Sequence, residues 1–555
     1  MFAKRGFCMG KPRSRCNHRS VECFRSRWHY GFLLLIVFAA AWVRLSLIDL
    51  PLERDEGEYA YAGQLILQGS LPYDAVYNMK LPGVYAAYAG IIGIFGQTHR
   101  GVHTGLAVIN IATIVLLFFL GRKLADTLAG LMASASFAVL SLTPVLQGIF
   151  ANSEHFVILP VIGGLILLLG GLEKDRLIVL FTSGLLFGTG VLMKQHGALF
   201  GMFALLFLVI DRLQAKKTIP DTALRGILFL SGIAVPYALV CLFFKSVGIF
   251  DKFWFWTVSY ASKYTAEVSL GLGWEMFRET AADILRADPF VWLIAGIGLS
   301  APLWSRKARQ RAVFTHGLFL FSFLSVIPGL YFRRHYFLLL VPSASLLFGM
   351  AVSAAQDKLA GLNRKGLAQL FPAVLSAVVL VGSFCWHGYF MMGKTPLDLS
   401  RYMNGLNPFP EALDVGSFIR ENSSRDDRIA VIGSEPQIYF YSGRRAATGY
   451  IYMYPLMESH EFALTMQKDM LREIEEIKPK FLVFVHVDTS WGIHEGSQTM
   501  MLSWLDQYQS KYYWPVGVID IREKGTEYYW APNLKGPPES SQWIAVFQRK
   551  SDASI

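Results

Sequence analysis

Residues Tyr30 to Ile48 read YGFLLLIVFAAAWVRLSLI, with Arg44 the only charge among them. As a helix this run is long enough to cross a hydrocarbon core of about 30 Å. A basic flank precedes it (Lys4, Arg5, Lys11, Arg13, Arg15, Arg19, Arg25 and Arg27), which invites comparison with a secretion signal. No small-residue cleavage site follows and further apolar runs do, so the reading is an uncleaved membrane helix.

Working outward, apolar runs recur at Val102 to Leu120, Leu128 to Pro144, Phe156 to Leu169, Leu177 to Met193, Gly197 to Ile210 and Gly226 to Phe244. They continue at Phe290 to Trp304, Ala312 to Leu330, Tyr336 to Val352 and Leu367 to Phe390. The expected fold is therefore a polytopic α-helical membrane protein with about eleven transmembrane helices. Composition agrees: of 555 residues 53% are hydrophobic and 17% charged, where a soluble domain carries about 25% charged residues. Leu81 to Phe95 is apolar but would rise only about 22 Å as a helix. It is read as interfacial or re-entrant.

That choice is tied to charge. With Leu81 to Phe95 excluded, Arg122/Lys123, Lys174/Arg176, Arg212/Lys216/Lys217, Arg306/Lys307/Arg309/Arg311 and Lys358/Arg364/Lys365 all fall on the side of the N-terminal tail. The orientation rule makes that side cytoplasmic. The net charge of +11 thus reports topology, and no nucleic-acid partner is expected. Cys8, Cys16 and Cys23 lie in the tail, with His18 nearby, at a spacing that matches no zinc pattern, and Cys241 and Cys385 lie within apolar runs. No disulfide framework is indicated.

Three parts follow: a basic cytosolic tail at 1–29, a transmembrane domain at 30–391 with a first outer loop at 49–100, and a soluble outer domain at 392–555. In the last part, Asp427 to Gly433 and Lys480 to His486 read as buried strands and Glu458 to Lys478 as an amphipathic helix, so a small α/β domain is expected. Ser434 of Ser434-Glu435-Pro436 reads as a helix cap.

Chemistry concentrates on the outer side. Glu53-Arg54-Asp55-Glu56-Gly57-Glu58-Tyr59 holds four carboxylates in six positions beside a span. Acids favour the first turn of a helix, which is one explanation. The other is an outward-facing base or ligand set, with Asp55 and Tyr59 on one helical face and Glu58 three residues from Asp55. On this reading one acid points into a cleft and the others meet water. Lys80, Lys194 and the pair Arg333-Arg334, followed by His335, border apolar runs on the same side. Cations there oppose the orientation rule. They either snorkel to headgroups or converge on a phosphate. Glu154 and His155, after the third span, are candidates for binding.

These positions resemble the membrane glycosyltransferases with the GT-C fold, in the branch of protein O-mannosyltransferases and bacterial aminoarabinose transferases. The resemblance rests on Arg54-Asp55-Glu56-Gly57-Glu58-Tyr59, Lys80-Leu81-Pro82-Gly83, Lys194, and Arg334-His335-Tyr336, and covers most of residues 30 to 350. It implies an inverting transfer of sugar from a polyprenyl-phosphate donor to a periplasmic acceptor, a lipid, glycan or protein hydroxyl, in a bacterial inner membrane. Asp55 would be the catalytic carboxylate. Glu56, Tyr59, Lys80, Glu154, His155, Lys194, Arg333, Arg334 and His335 would bind substrate, with Lys80, Lys194 and one of the two arginines on the phosphate. Two departures stand out: the usual Lys-Pro-Pro is Lys80-Leu81-Pro82, and an Asp common in the second outer loop is replaced by Glu154. Related oligosaccharyltransferases pair acids around a divalent metal. The Asp-X-Asp spacing is missing here, so no metal and no cofactor besides the donor is expected.

Two other classes fit a charged membrane face. A transporter or flippase of lipid-linked sugar would place its site near the midplane, on broken helices with repeat symmetry, whereas these charges gather at one face. A non-catalytic glycan-binding or assembly protein would leave Asp55 dispensable.

Overall fold

The computed structural model describes residues 28–362, 367–523 and 525–551. The tail cysteines, nearly all of the basic tail, and Arg364 and Lys365 lie outside these.

All eleven apolar runs form helices. They are α1 (Trp28–Ser46), α4 (His99–Leu124), α5 (Thr127–Leu140), α6 (Ser153–Glu173), α7 (Leu177–Met193), α8 (Ala198–Gln214), α9 (Ile219–Ser246), α11 (Pro289–Trp304), α12 (Arg306–Leu324), α13 (Val341–Gly361) and α14 (Leu367–Met392). Between them lie α2 (Arg54–Leu67), α3 (Pro82–Phe95) and α10 (Leu270–Ala287). Among the described residues, seven helical stretches are long and apolar enough to span alone, and α10 with α11, bent by 104°, makes an eighth. Helices α5 and α7 are apolar but shorter, 14 and 17 residues. Close approach depends on small residues, as expected where lipid gives helices no hydrophobic reason to associate. A Cβ on Gly184 of α7 would stand 2.2 Å from the Phe229 carbonyl oxygen and 3.0 Å from Gly232 of α9.

The basic loops meet at one end of the bundle. Lys123 pairs with Glu173, Arg212 with Asp175 and Asp221, and Lys307 with Asp126 and Asp357. Helix α4 fixes the other end, because its His103 touches Glu56 of α2 while its Lys123 belongs to the basic cluster. Over 26 residues it rises about 39 Å.

At the α2 end sits a six-stranded sheet in the order β2-β1-β3-β6-β4-β5. Its strands are β1 (Arg428–Ile432), β2 (Arg445–Ala446), β3 (Phe481–His486), β4 (Tyr513–Asp520), β5 (Glu527–Trp530) and β6 (Trp543–Arg549). β2, β1 and β3 run parallel, with Ile429 opposite Phe481, and the remaining pairings are antiparallel. The helix Ala463–Ile477 precedes β3, close to the sequence expectation. The cap expected at Ser434 does not form. The helix Gln437–Ser442 starts without a side-chain cap, and the Ser434 hydroxyl accepts the Met453 N–H at 2.9 Å instead.

This domain does not hang freely. Tyr59, Tyr61, Tyr85 and Tyr88 of α2 and α3 share one apolar core with Ile429, Val431, Phe481 and Val483 of the sheet. The Tyr61 phenol accepts the Ala446 N–H at 2.7 Å, and Tyr441 accepts the Leu52 N–H at 2.8 Å. Gly57 lies so near Gln437 that a Cβ would stand 2.7 Å from its backbone nitrogen.

Candidate active-site cleft

The start of α2 is built by its acids. Glu53 accepts the N–H groups of Asp55 and Glu56, each at 3.1 Å, and Glu56 Oε2 accepts the Glu53 N–H at 3.0 Å, a reciprocal capping box. Glu56 Oε1 also accepts the Ala151 N–H at 2.6 Å and lies 3.1 Å from His103 Nε2. Glu56 is therefore a buried tie between three elements and does not face the cleft. Nor does Glu58 meet water, being fully buried like Glu56, while Glu53 is partly buried.

Asp55 does face it. Its Oδ2 is 3.3 Å from Lys80 Nζ, and its Oδ1 accepts the Tyr452 phenol at 3.1 Å. Lys80 also donates to the Tyr59 hydroxyl at 3.0 Å, so the buried Tyr59 backs the lysine. Partial burial alone would raise the Asp55 carboxyl. Lys80, with Arg333 and Lys194 further off, overrides that and holds it well below the ordinary carboxylate range. The same pairing keeps the Lys80 ammonium well above its ordinary value despite its burial. Both groups are charged at neutral pH.

Asp55, Lys80 and Arg333 line a cleft of about 870 Å³ between the first loop, the 260–276 segment and the sheet domain. Arg333 follows a turn in which Leu330 and Phe332 hold positive φ (58° and 42°), each costing a non-glycine residue about 1–3 kcal/mol. Arg333 is extended (φ −60°, ψ 143°) and Arg334 begins the helical turn Arg334–Leu340, so the two side chains diverge. Arg333 enters the cleft over the Tyr331 ring, and Arg334 points away to Asp283 at 2.9 Å. Among the described residues, Arg333 has no carboxylate within ion-pair distance. It is the cleft cation left for a ligand.

The remaining expected residues lie behind the wall. Lys194 pairs with Glu154, which is fully buried, and its Nζ sits 3.8 Å from the centre of the Tyr336 ring, which lines the cleft. His155 is buried beside Asn110, and His335 lies against Gln147 and Tyr336. Among the described residues no three His, Cys, Asp or Glu side chains gather as a metal site requires.

Several cleft residues were not singled out from sequence. Arg54 donates to Glu435 at 2.6 Å, to the Ser434 carbonyl at 2.6 Å and to Tyr454 at 2.6 Å, tying the sheet domain to α2. Tyr452 and Tyr454 come from the same domain, and Tyr260 and Tyr264 from the aromatic-rich outer loop. Glu458, bonded to the Tyr260 hydroxyl at 2.6 Å, is pushed up by burial to about 7.

A family model described as dolichyl-phosphate-mannose-protein mannosyltransferase matches residues 80–237. Among solved structures, ArnT from Cupriavidus metallidurans bound to undecaprenyl phosphate superposes with a TM-score of 0.58 at 15% identity, over 93% of this chain and 98% of that one. The fold is the GT-C fold. A GT-C oligosaccharyltransferase from Archaeoglobus fulgidus, tethered with an acceptor peptide, gives a TM-score of 0.49 at 12% identity, covering 92% of this chain and 74% of that one. AglB from the same organism, in complex with an inhibitory peptide and a dolichol-phosphate, gives 0.49 at 13% identity, covering 95% and 76%. No curated protein matches by sequence.

Proposed function

We propose that this protein is an inverting glycosyltransferase that moves a sugar from a polyprenyl-phosphate donor to a hydroxyl of an acceptor outside the cytoplasm. The observation that carries the proposal is one cleft, at the membrane end bearing the sheet domain, that holds an ionised Asp55, its partner Lys80 and the unpaired Arg333. The similar ArnT structure is bound to undecaprenyl phosphate, a lipid phosphate of the class proposed here.

In this scheme the lipid phosphate rests against Arg333 and Lys80. Asp55 accepts the proton of the acceptor hydroxyl as its oxygen attacks the anomeric carbon. The bond from that carbon to the phosphate oxygen breaks, and the electron pair leaves on the polyprenyl phosphate. A single in-line displacement inverts the anomeric centre. The cations act by stabilising charge that grows on the leaving group, in a site already organised for it. Asp55 acts by orienting the acceptor and taking its proton. The basic ends of the helices, ion-paired at the far end of the bundle, support a cytoplasmic N-terminus and an outer, periplasmic sheet domain.

The test is sugar transfer in liposomes, with a labelled polyprenyl-phosphate sugar and a mixture of envelope acceptors. Asp55→Asn is expected to lower transfer about 10³-fold and retain donor binding. Undiminished transfer by that variant overturns the assignment.

A further inference from the structure

Glu58 stands one helical turn beyond Asp55, fully buried, and does not line the cleft. The Tyr85 phenol donates to its Oε1, and its Oε2 has no hydrogen-bond partner among the described residues. The groups facing it come from four elements: Asp55 and Tyr59 on its own helix, Tyr73 and Lys80 from the following loop, Tyr85 from α3, and Tyr452 from the sheet domain. Four of the six are neutral phenols. The one cation, Lys80, is already engaged by Asp55 at 3.3 Å and Tyr59 at 3.0 Å. An anion at Glu58 would thus be a second carboxylate competing with Asp55 for one ammonium and for the Tyr452 phenol, with Tyr85 as its own donor, where a stabilised buried carboxylate accepts two or three bonds.

We infer that Glu58 is a positioning residue whose carboxyl must stay protonated for Lys80 and the cleft to hold the donor phosphate. Burial pushes this carboxyl up to about 7, against the pull of Lys80, which is the direction the geometry requires. Below that pH the inner pocket carries Asp55 and Lys80 as a balanced pair, and Arg333 adds net positive charge for the lipid phosphate. Above it, Glu58 loses its proton, the pocket gains a negative charge, and Lys80 is drawn back from the cleft. Donor binding weakens, while the acceptor proton still goes to an ionised Asp55.

The inference rests on the proposed transferase reading, and its test separates the two. Donor KM and kcat are measured in liposomes between pH 6 and pH 9. Wild type is expected to show donor KM rising on the order of tenfold with a midpoint near 7, the effect of a unit charge about 12 Å from the phosphate in an effective dielectric of about 20. Its kcat changes little. Glu58→Gln is expected to hold the wild-type pH 6 KM across the range, and Tyr85→Phe, which removes the Tyr85 bond to the anion, to move the rise to higher pH. A KM rise that persists in Glu58→Gln overturns the inference and leaves the transferase standing. An infrared titration of the purified protein reads the same group without turnover. One protonated-carboxyl band, absent from Glu58→Gln and distinct from that of Glu458, which the variant retains, should disappear on going from pH 6 to pH 8.5. If wild type has no such band, Glu58 is not a neutral acid and the inference fails whether or not sugar is transferred.

Discussion

The molecule contains two lysine–carboxylate pairs about the cleft, alike in chemistry and different in use. Lys80 and Asp55 are 3.3 Å apart with side chains 23% and 25% exposed, and both line the cavity. Lys194 and Glu154 are closer, 11% and 0% exposed, and closed off beneath Tyr336. A half-open pair at modest separation can be rearranged by a ligand. A closed one has been taken out of water, and each partner exists there only because the other compensates it. The first is built to exchange partners and the second to hold α6 against the end of α7.

The sharpest way to break the comparison is at Asp55. Asp55→Asn should lower the transfer rate by about 10³-fold, within the range for a lost proton acceptor, with the protein still folded and still binding donor in a lipid-binding assay. At the closed pair the effect should appear in stability. Lys194→Ala strands the buried Glu154 and is expected to cost about 3–5 kcal/mol in unfolding free energy, read as a lower midpoint in detergent melts. The double change Lys194→Met with Glu154→Leu should recover most of that. Arg333→Ala should raise donor KM by roughly 10-fold to 100-fold, the loss of a charge-assisted bond worth about 1.5–3 kcal/mol, whereas Arg334→Ala should leave it within about twofold, since surface pairs contribute about 0–1 kcal/mol. The smallest effect is a null one. Because the Asp55 carboxyl is held well below the ordinary range, it stays ionised as pH falls, so kcat at saturating donor should stay flat from pH 7 to about 5. An acid limb at an ordinary carboxylate pKa would show that Lys80 is not its partner.

What could be read from the chain alone follows the range of the forces involved. The spanning helices were legible because twenty apolar residues in a row have few alternatives. Asp55 and Lys80 stood out because charges beside such runs need a reason. The division of labour among neighbours was not legible. Glu56 and Glu58 look equivalent to Asp55 in sequence, yet one is bound to Ala151 and His103 and the other sits under a phenol. Arg333 and Arg334 are neighbours that part only because the first is extended and the second begins a helical turn. Lys194 reads as one more phosphate cation until Glu154 is seen against it. The sheet-domain side of the cleft could not be found, because Tyr452 and Glu435 meet Asp55 and Arg54 through tertiary packing, which leaves no local pattern.

The Arg54–Glu435 pair joins positions 381 residues apart. A ribosome makes the first of these before most of the spanning helices and the second only after α14. Asp55 must therefore wait through most of synthesis without its far wall, and a chain cut short before the sheet has no completed chamber. Assembly order itself guards the membrane against a half-made cleft.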